Sequence, residues 1–222
     1  MNNYDHEYST CYPNLWIVWG NGGLLCGVYD KLADAVIVPL VYNNILVAKF
    51  DYLWHVYKGS KWGVYNSNIG GLIVPLDYDM VKETSFYNLW FVYKDYFVDG
   101  VYEGECGIYN GDTGNFIVPM GYERIFKTSS PNLWRVANNK KWGLYNSNVD
   151  AFGVLPVFSL VDGGEDLIFQ ITVGFKCFDF NMRQRQWVDC AAVIAHGEKD
   201  CKDMLRYIYL YTTTPEKALQ PH

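Results

Sequence analysis

Lys61-Trp62-Gly63-Val64-Tyr65-Asn66-Ser67-Asn68 returns eighty residues later as Lys141-Trp142-Gly143-Leu144-Tyr145-Asn146-Ser147-Asn148. The same step recurs in altered form as Cys26-Gly27-Val28-Tyr29 and Cys106-Gly107-Ile108-Tyr109. Working outward, each step is preceded by a Leu-Trp anchor: Leu15-Trp16-Ile17-Val18, Leu53-Trp54-His55-Val56, Leu89-Trp90-Phe91-Val92 and Leu133-Trp134-Arg135-Val136. Each is followed by a proline anchor, at Val38-Pro39, Val74-Pro75, Val118-Pro119 and Leu155-Pro156. Three anchors in one order, four times over, are the signature of a repeat protein. The glycines lie 36, 44 and 36 residues apart, and the third repeat carries eight extra residues in the stretch Asp95 to Glu105. Before the glycine, Cys26 and Cys106 alternate with Trp62 and Trp142, so a duplicated pair of repeats is the simplest history. Ile168-Phe169-Gln170-Ile171 and Lys176-Cys177-Phe178-Asp179-Phe180-Asn181 read as a fifth, degraded copy.

Inside a unit the pattern is that of strands. Leu53 to Tyr57 and Trp62 to Tyr65 are short alternating runs around Lys58-Gly59-Ser60-Lys61, which is a hairpin signal. Asn66-Ser67-Asn68 and Gly70-Gly71 make a turn. Leu72-Ile73-Val74 is a third strand, stopped at Pro75 because proline cannot donate to a ladder. Leu76-Asp77-Tyr78-Asp79 leads back to the next unit.

The expected fold is therefore all-β: an array of about five three-stranded β-repeat units with a period of ~36 residues. Such units bury their apolar faces by stacking as a superhelix or by closing as a small propeller. The stack absorbs an insertion and a degraded last copy more easily. Lys202-Asp203-Met204-Leu205-Arg206-Tyr207-Ile208-Tyr209 changes to helix-like spacing, which predicts a short C-terminal capping helix. The expected division is an N-terminal arm over 1–13, the array over 14–188 and a cap and tail over 189–222. Repeats are placed at about 14–50, 51–86, 87–130 and 131–165, with the degenerate copy at 166–188.

Through Lys61-Trp62-Gly63-Val64-Tyr65-Asn66, Ile73-Val74-Pro75 and Tyr78-Asp79 the chain resembles the WG-repeat family, named for its Trp-Gly pair. The resemblance covers about residues 14 to 161, with an echo to about 181. It is specific in repeats two and four and eroded in one and three, where Cys stands in the Trp slot. The family is bacterial and bacteriophage-associated. The resemblance implies a β-rich binding or scaffold module and carries over no catalytic residues.

Composition narrows the function classes. A net charge of -6 and a pI of about 5.2 leave no basic footprint for a DNA or RNA polymer. No apolar run is long enough to span a bilayer. Met1-Asn2-Asn3-Tyr4-Asp5-His6-Glu7 lacks the pattern of a secretory signal. Six cysteines with no CxxC spacing argue against zinc or a redox pair, so a cytoplasmic protein with reduced thiols is expected.

Catalytic readings find little support. His6, His55, His196 and His222 are scattered, and Cys26, Cys106 and Cys177 read as small packed hydrophobes in the Trp slot. A Cys190–His196 pair is the weak exception. Asp77, Asp79, Glu123 and Asp150 lie in turns. Gly111-Asp112-Thr113-Gly114-Asn115 invites a calcium reading without the ligand count that ion needs. No glycine-rich phosphate cradle is present, and neither a cofactor nor a metal site is expected. Trp16, Trp54, Trp62, Trp90, Trp134 and Trp142 are read as packing rings, each Trp-Gly step letting one hairpin lie against the next.

A packing demand is shared by every copy, whereas a binding site needs particular copies, so the deviations are the ligand-binding candidates. They are the polar variants His55 and Arg135, the cations Arg124, Lys140 and Lys141, and Tyr96, Phe97 and Tyr102 in the inserted loop. The leading functional reading is a non-catalytic binding module, an aromatic-rich β-repeat surface for a protein or peptide partner. The alternative is a sequestering protein, of the kind a phage would encode as an anti-defence sponge. It would hold a small nucleotide-like signal between rings and Arg or Lys, in a pocket that a homo-oligomer would repeat by symmetry. A hydrolase with a site built across repeats is the least supported.

Overall fold

A computed structural model describes residues 4–95, 104–128, 132–148 and 150, and the backbone of strands at 151–158, 160–163, 168–173, 176–181 and 186–187. The chain is an all-β array. Its first sheet comprises β1 (His6–Ser9), β2 (Leu15–Gly20), β3 (Leu25–Asp30) and β4 (Ala35–Tyr42), paired in that order. The second comprises β5 (Asn44–Val47), β6 (Leu53–Lys58), β7 (Lys61–Asn66) and β8 (Gly71–Tyr78). The third comprises β9 (Met80–Glu83), β10 (Leu89–Lys94), β11 (Glu105–Asn110) and β12 (Asn115–Tyr122). The fourth comprises β13 (Arg124–Lys127), β14 (Leu133–Asn138), β15 (Lys141–Asn146) and β16 (Ala151–Phe158). The degraded copy supplies the fifth, with β17 (Leu160–Gly163), β18 (Ile168–Val173), β19 (Lys176–Asn181) and β20 (Gln186–Trp187). The capping helix expected beyond residue 188 lies outside the described residues.

Each sheet has four strands where the sequence predicts three. The extra strand is the segment after the proline bend, such as Asn44–Val47, which crosses over to pair with β6 of the next repeat. Sheets and sequence repeats are therefore out of phase by one strand. The first sheet obtains its equivalent from His6–Ser9, in the stretch read from sequence as an arm, which pairs with β2 from His6↔Trp19 to Ser9↔Trp16.

Local chemistry explains each element. Gly59 takes φ 66° at the first position of the two-residue β6–β7 turn, and Asn139 and Lys140 take φ 48° and 59° in the β14–β15 turn. Positive φ at these central positions matches the strands' right-handed twist. After the Gly-x-Tyr step, Asp30, Asn66, Asn110 and Asn146 each turn a side-chain oxygen back onto backbone N–H groups two residues on, of Leu32, Asn68, Asp112 and Asn148. The stretch that invites a calcium reading is thus an Asx turn, and Asp112 also accepts from Asn88 Nδ2.

The glycine of the Trp-Gly step serves the strand beside it. A Cβ at Gly63 would lie 2.6 Å from the Val74 carbonyl oxygen, and one at Gly27 would lie 2.5 Å from that of Val38. Both sit where the ladder to the fourth strand shifts register, from Cys26↔Tyr42 to Val28↔Val38 and from Trp62↔Tyr78 to Val64↔Val74. A bulge brings the neighbouring backbone close, and only glycine admits it.

Contacts divide the chain into two compact units, Met1–Phe116 and Ile117–His222. In the first, Cys26, Val28 and Val38 of sheet one share a buried cluster with Ile45, Trp54, Val56 and Tyr65 of sheet two. Trp54 and Trp90 are fully buried, as the packing reading expects, whereas Trp16 is half-buried beneath the Lys31 ammonium, 3.3 Å from its ring centroid. In the second unit Ile125, Leu133, Trp134, Val136, Leu144 and Tyr145 are buried.

A polar clasp marks the join between a sheet's first strand and its first long hairpin. The backbone N–H groups of Asp5, Asn43, Asp79 and Glu123 donate to the carbonyls of Trp19, Tyr57, Tyr93 and Ala137. The side chains of the same four residues accept from the turn amides of Gly23, Gly59, Asp95 and Asn139. The preceding tyrosines pair with the Gly-x-Tyr ring of the sheet so joined, as in Tyr42–Tyr65 and Tyr78–Tyr109, both 6.2 Å between centroids. Tyr4–Tyr29 repeats the arrangement at 5.6 Å.

Candidate functional site

The sequence candidates fall into separate groups. His55 lies on β6 and is buried. Its Nε2 is 2.9 Å from Glu83 Oε1 on β9, and its ring meets Trp90 edge-on, 5.5 Å between centroids at 87°. Glu83 Oε1 also accepts the Lys49 backbone N–H at 2.9 Å. Burial alone would raise the Glu83 carboxyl. The hydrogen bonds from His55 and Lys49 and the His55 charge outweigh it and hold the carboxyl below the ordinary carboxylate value. The equivalent contact between sheets one and two is apolar, with Ile17 and Val47 both packed on the core cluster. His55 therefore joins two sheets.

Arg124, Arg135, Lys140 and Lys141 belong to one hairpin and its neighbouring strand in the second unit. Residues facing each other across antiparallel strands share a face, as do alternate residues of one strand. The register Arg124↔Ala137↔Trp142 and Phe126↔Arg135↔Leu144 sets Arg124, Phe126, Arg135 and Trp142 on one face of β13–β15. The Arg135 guanidinium carbon lies 5.5 Å from the Phe126 ring centroid, and Phe126 and Trp142 are 5.6 Å apart with planes inclined at 39°. Phe126 is 44% exposed, Arg124 is exposed, and Arg135 and Trp142 are half-buried. Lys140 and Lys141 stand exposed at the turn end of the hairpin, where the Glu123 carboxylate receives the Asn139 and Lys140 amides at 2.9 and 3.5 Å. Tyr96, Phe97 and Tyr102 lie outside the described residues.

Two features escape the sequence reading. Phe126 belongs to no motif, and only its position two residues after Arg124 on a short strand could have signalled it. The other is a row of apolar side chains at one equivalent position of successive fourth strands. Val36 on β4 and Leu72 on β8 are each 43% exposed, and Phe116 on β12 is 40% exposed. Val36 and Leu72 pair with Tyr29 and Tyr65, and the Phe116 ring meets Tyr109 at 5.4 Å.

No helix among the described residues is long and apolar enough to cross a membrane. No protein-family model matches the sequence, and no curated protein matches it. Among solved structures the chain is similar to Hsv2 from Kluyveromyces lactis, at 8% identity over 90% of this chain and 67% of that one, with a TM-score of 0.34. It is similar to a eukaryotic initiation factor at 8% identity, over 74% of this chain and 48% of that one, with a TM-score of 0.43. It is also similar to the complex of KlAtg21 with the coiled-coil of AgAtg16, at 12% identity over 80% and 70%, with a TM-score of 0.36. The chain spans about half the length of the initiation factor. Likeness at this level bears no weight on fold detail or on function.

Proposed function

We propose that the chain is a non-catalytic binding module that presents its repeat sheets to a protein or peptide partner. The observation that carries this reading is the row Val36, Leu72 and Phe116, a half-exposed apolar side chain at the same position of the fourth strand in each of the first three sheets. Core demands do not account for it, because the neighbouring positions Val38, Val74 and Val118 already fill the interior. Sheets packed face to face stand about 10 Å apart, close to the roughly 9 Å turn of a polyproline II peptide, which has three residues per turn. A partner in the polyproline II conformation with an apolar side chain at every third position turns those side chains to one side and fits such a row, each lying beside a tyrosine. Apolar and aromatic side chains flanked by polar ones are the usual core of a protein interface. The resemblance of repeats two and four to WG-repeat arrays supports the same reading.

The test is site-specific photo-crosslinking in cells, with the crosslinking residue placed at 72 and, as a control, at 58 at the end of β6. A discrete crosslinked species from position 72, lost in the Val36→Asp/Phe116→Asp background, is the expected outcome. No species from position 72, or one that survives those substitutions, overturns the reading.

A further inference from the structure

Charge is distributed unevenly along this chain. Residues 117–150 hold five cations, Arg124, Lys127, Arg135, Lys140 and Lys141, and two carboxylates, within a protein of net charge -6. Both carboxylates are engaged elsewhere: Glu123 receives the Asn139 and Lys140 amides, and Asp150 accepts the Tyr145 hydroxyl. Arg124, Lys140 and Lys141 make no ion pair with any described residue. Arg124 and Arg135 share their face with the Phe126–Trp142 ring pair, the half-exposed Phe126 nearest the edge.

We propose that this face of β13–β15 binds a small planar anion, an aromatic heterocycle bearing phosphate. The heterocycle stacks on Phe126 at the edge of the ring pair, and Arg124 and Arg135 hold the phosphate, with Lys140 and Lys141 adding attraction from the turn. Each part of the ligand answers to an observation. An exposed ring offers its π-face to any flat heterocycle. A guanidinium fork matches phosphate geometry and stacks on aromatic faces as well. The ligand is small because local charge reaches about 8 Å at physiological ionic strength. A nucleic-acid polymer would extend beyond that patch and meet the excess of carboxylates on the rest of the chain. This site is independent of the apolar row in the first unit, so either assignment can fail alone.

Calorimetric titration of the full chain with adenosine 5′-monophosphate tests it, with adenosine and inorganic phosphate as separate titrants at the same ionic strength. The expected result is a dissociation constant on the order of 1 mM or tighter for the nucleotide, with each half-ligand about tenfold weaker or more. Arg124→Gln and Phe126→Leu, both at exposed positions, should each weaken the nucleotide about fivefold or more with an unchanged unfolding midpoint. Arg135→Lys, which keeps the charge and loses the planar fork, should weaken it too. No heat up to millimolar nucleotide, phosphate binding as well as the nucleotide, or variants that bind like the parent would each overturn the proposal.

Discussion

Trp142 stands directly across β14–β15 from Ala137, and with no ring opposite it reaches past β14 to Phe126 on β13. The same cross-strand position is filled in every hairpin, by Trp19↔Cys26, Tyr57↔Trp62 and Tyr93↔Cys106. Three of the four pairs set a large ring against a small side chain. The fourth stacks Tyr57 on Trp62 with centroids 5.0 Å apart. The alternation of Cys and Trp before the glycine is thus half of a volume rule whose other half lies across the hairpin, at Trp19, Tyr57, Tyr93 and Ala137.

Cys26→Trp, which would restore the tryptophan of the even repeats, should destabilise the protein. Cys26 is fully buried, faces Trp19, and its thiol lies 3.4 Å from the Tyr42 carbonyl oxygen. Overpacking of this kind costs about 1–3 kcal/mol, and Trp19→Ala in the same chain should recover a large part of it. Urea-unfolding midpoints of the two single variants and the double variant measure the compensation, and additive losses would count against it.

Burial pushes the Cys26 thiol up to about 11, so it stays protonated at neutral pH. Alkylation of the folded protein followed by peptide mapping should label the exposed Cys11 well before Cys26 or Cys106, both of which are buried. Comparable labelling of the three in native buffer would contradict the packing described for the Trp slot.

Two glycines four residues apart, Gly59 and Gly63, should respond very differently to alanine. At Gly59 the added Cβ meets open space, and the cost is that of φ 66°, about 1 kcal/mol. At Gly63 it meets a backbone oxygen at 2.6 Å that the ladder holds in place, so a loss of about 3 kcal/mol or more is expected. Thermal unfolding of both variants decides the order, and an equal loss would mean that the bulge relaxes freely.

The Glu83–His55 contact has a defined acid limit. The Glu83 carboxyl is held below its ordinary value in the folded state, so its contribution is present above the unfolded value and is lost as pH falls through the folded one. The stability difference between the parent and Glu83→Gln should therefore shrink on acidification below the ordinary value of 4.5. Guanidinium titrations at several pH values give that difference directly. A gap that widens on acidification would mean that the carboxyl is raised.

Trp54 and Trp90 occupy equivalent buried positions with different partners. Trp54 Nε1 donates at 3.3 Å to Ser67 Oγ, which itself donates to the Tyr52 carbonyl at 3.1 Å. Ser67→Ala should cost about 1–3 kcal/mol, because a buried donor loses its acceptor. In the third repeat that position is Gly111, where an added Cβ would meet the Ile73 side chain at 3.1 Å. Gly111→Ser should thus gain stability only together with Ile73→Val, and a double-variant cycle on unfolding free energies would show that dependence.

The hairpins, the turn at Asn66 and the repeat count were legible because each rests on residues whose backbone preferences are local: Gly59, Asn66 and Pro75. The fourth strand was not. Asn44-Ile45-Leu46-Val47 and Met80-Val81-Lys82-Glu83 are four residues long, too short to show a period, and their strand state comes from pairing with the next repeat. Tyr4-Asp5 escaped for a related reason, since without a Leu-Trp anchor before it nothing marks it as the clasp that Tyr42-Asn43 and Tyr78-Asp79 form. The cations of the β13–β15 face could be read as departures from the pattern. Their grouping with Phe126 follows from strand register, which single-sequence patterns do not encode. His55 shows the limit of reading departures as sites, because a polar residue that breaks the pattern can be answered by another that breaks it as well, here Glu83.

The one-strand offset between sheets and sequence repeats has a bearing on how the molecule comes apart. If each sheet were closed within its own repeat, neighbours would be linked by face packing alone, and an end repeat could fray while the next stayed folded. Here, melting the Leu53–Asn66 hairpin strands Asn44–Val47, which belongs covalently to the repeat before it, and melting Leu89–Asn110 does the same to Met80–Glu83. Each repeat holds a ladder edge of its successor, so opening one unit removes hydrogen bonds from two. Hydrogen exchange should then report protection lost across the first three sheets together rather than in steps of ~36 residues. A deletion cut at the Leu-Trp boundaries would leave a chain whose last strand has no hairpin to join, an open edge that favours domain swapping or aggregation over a shorter folded array.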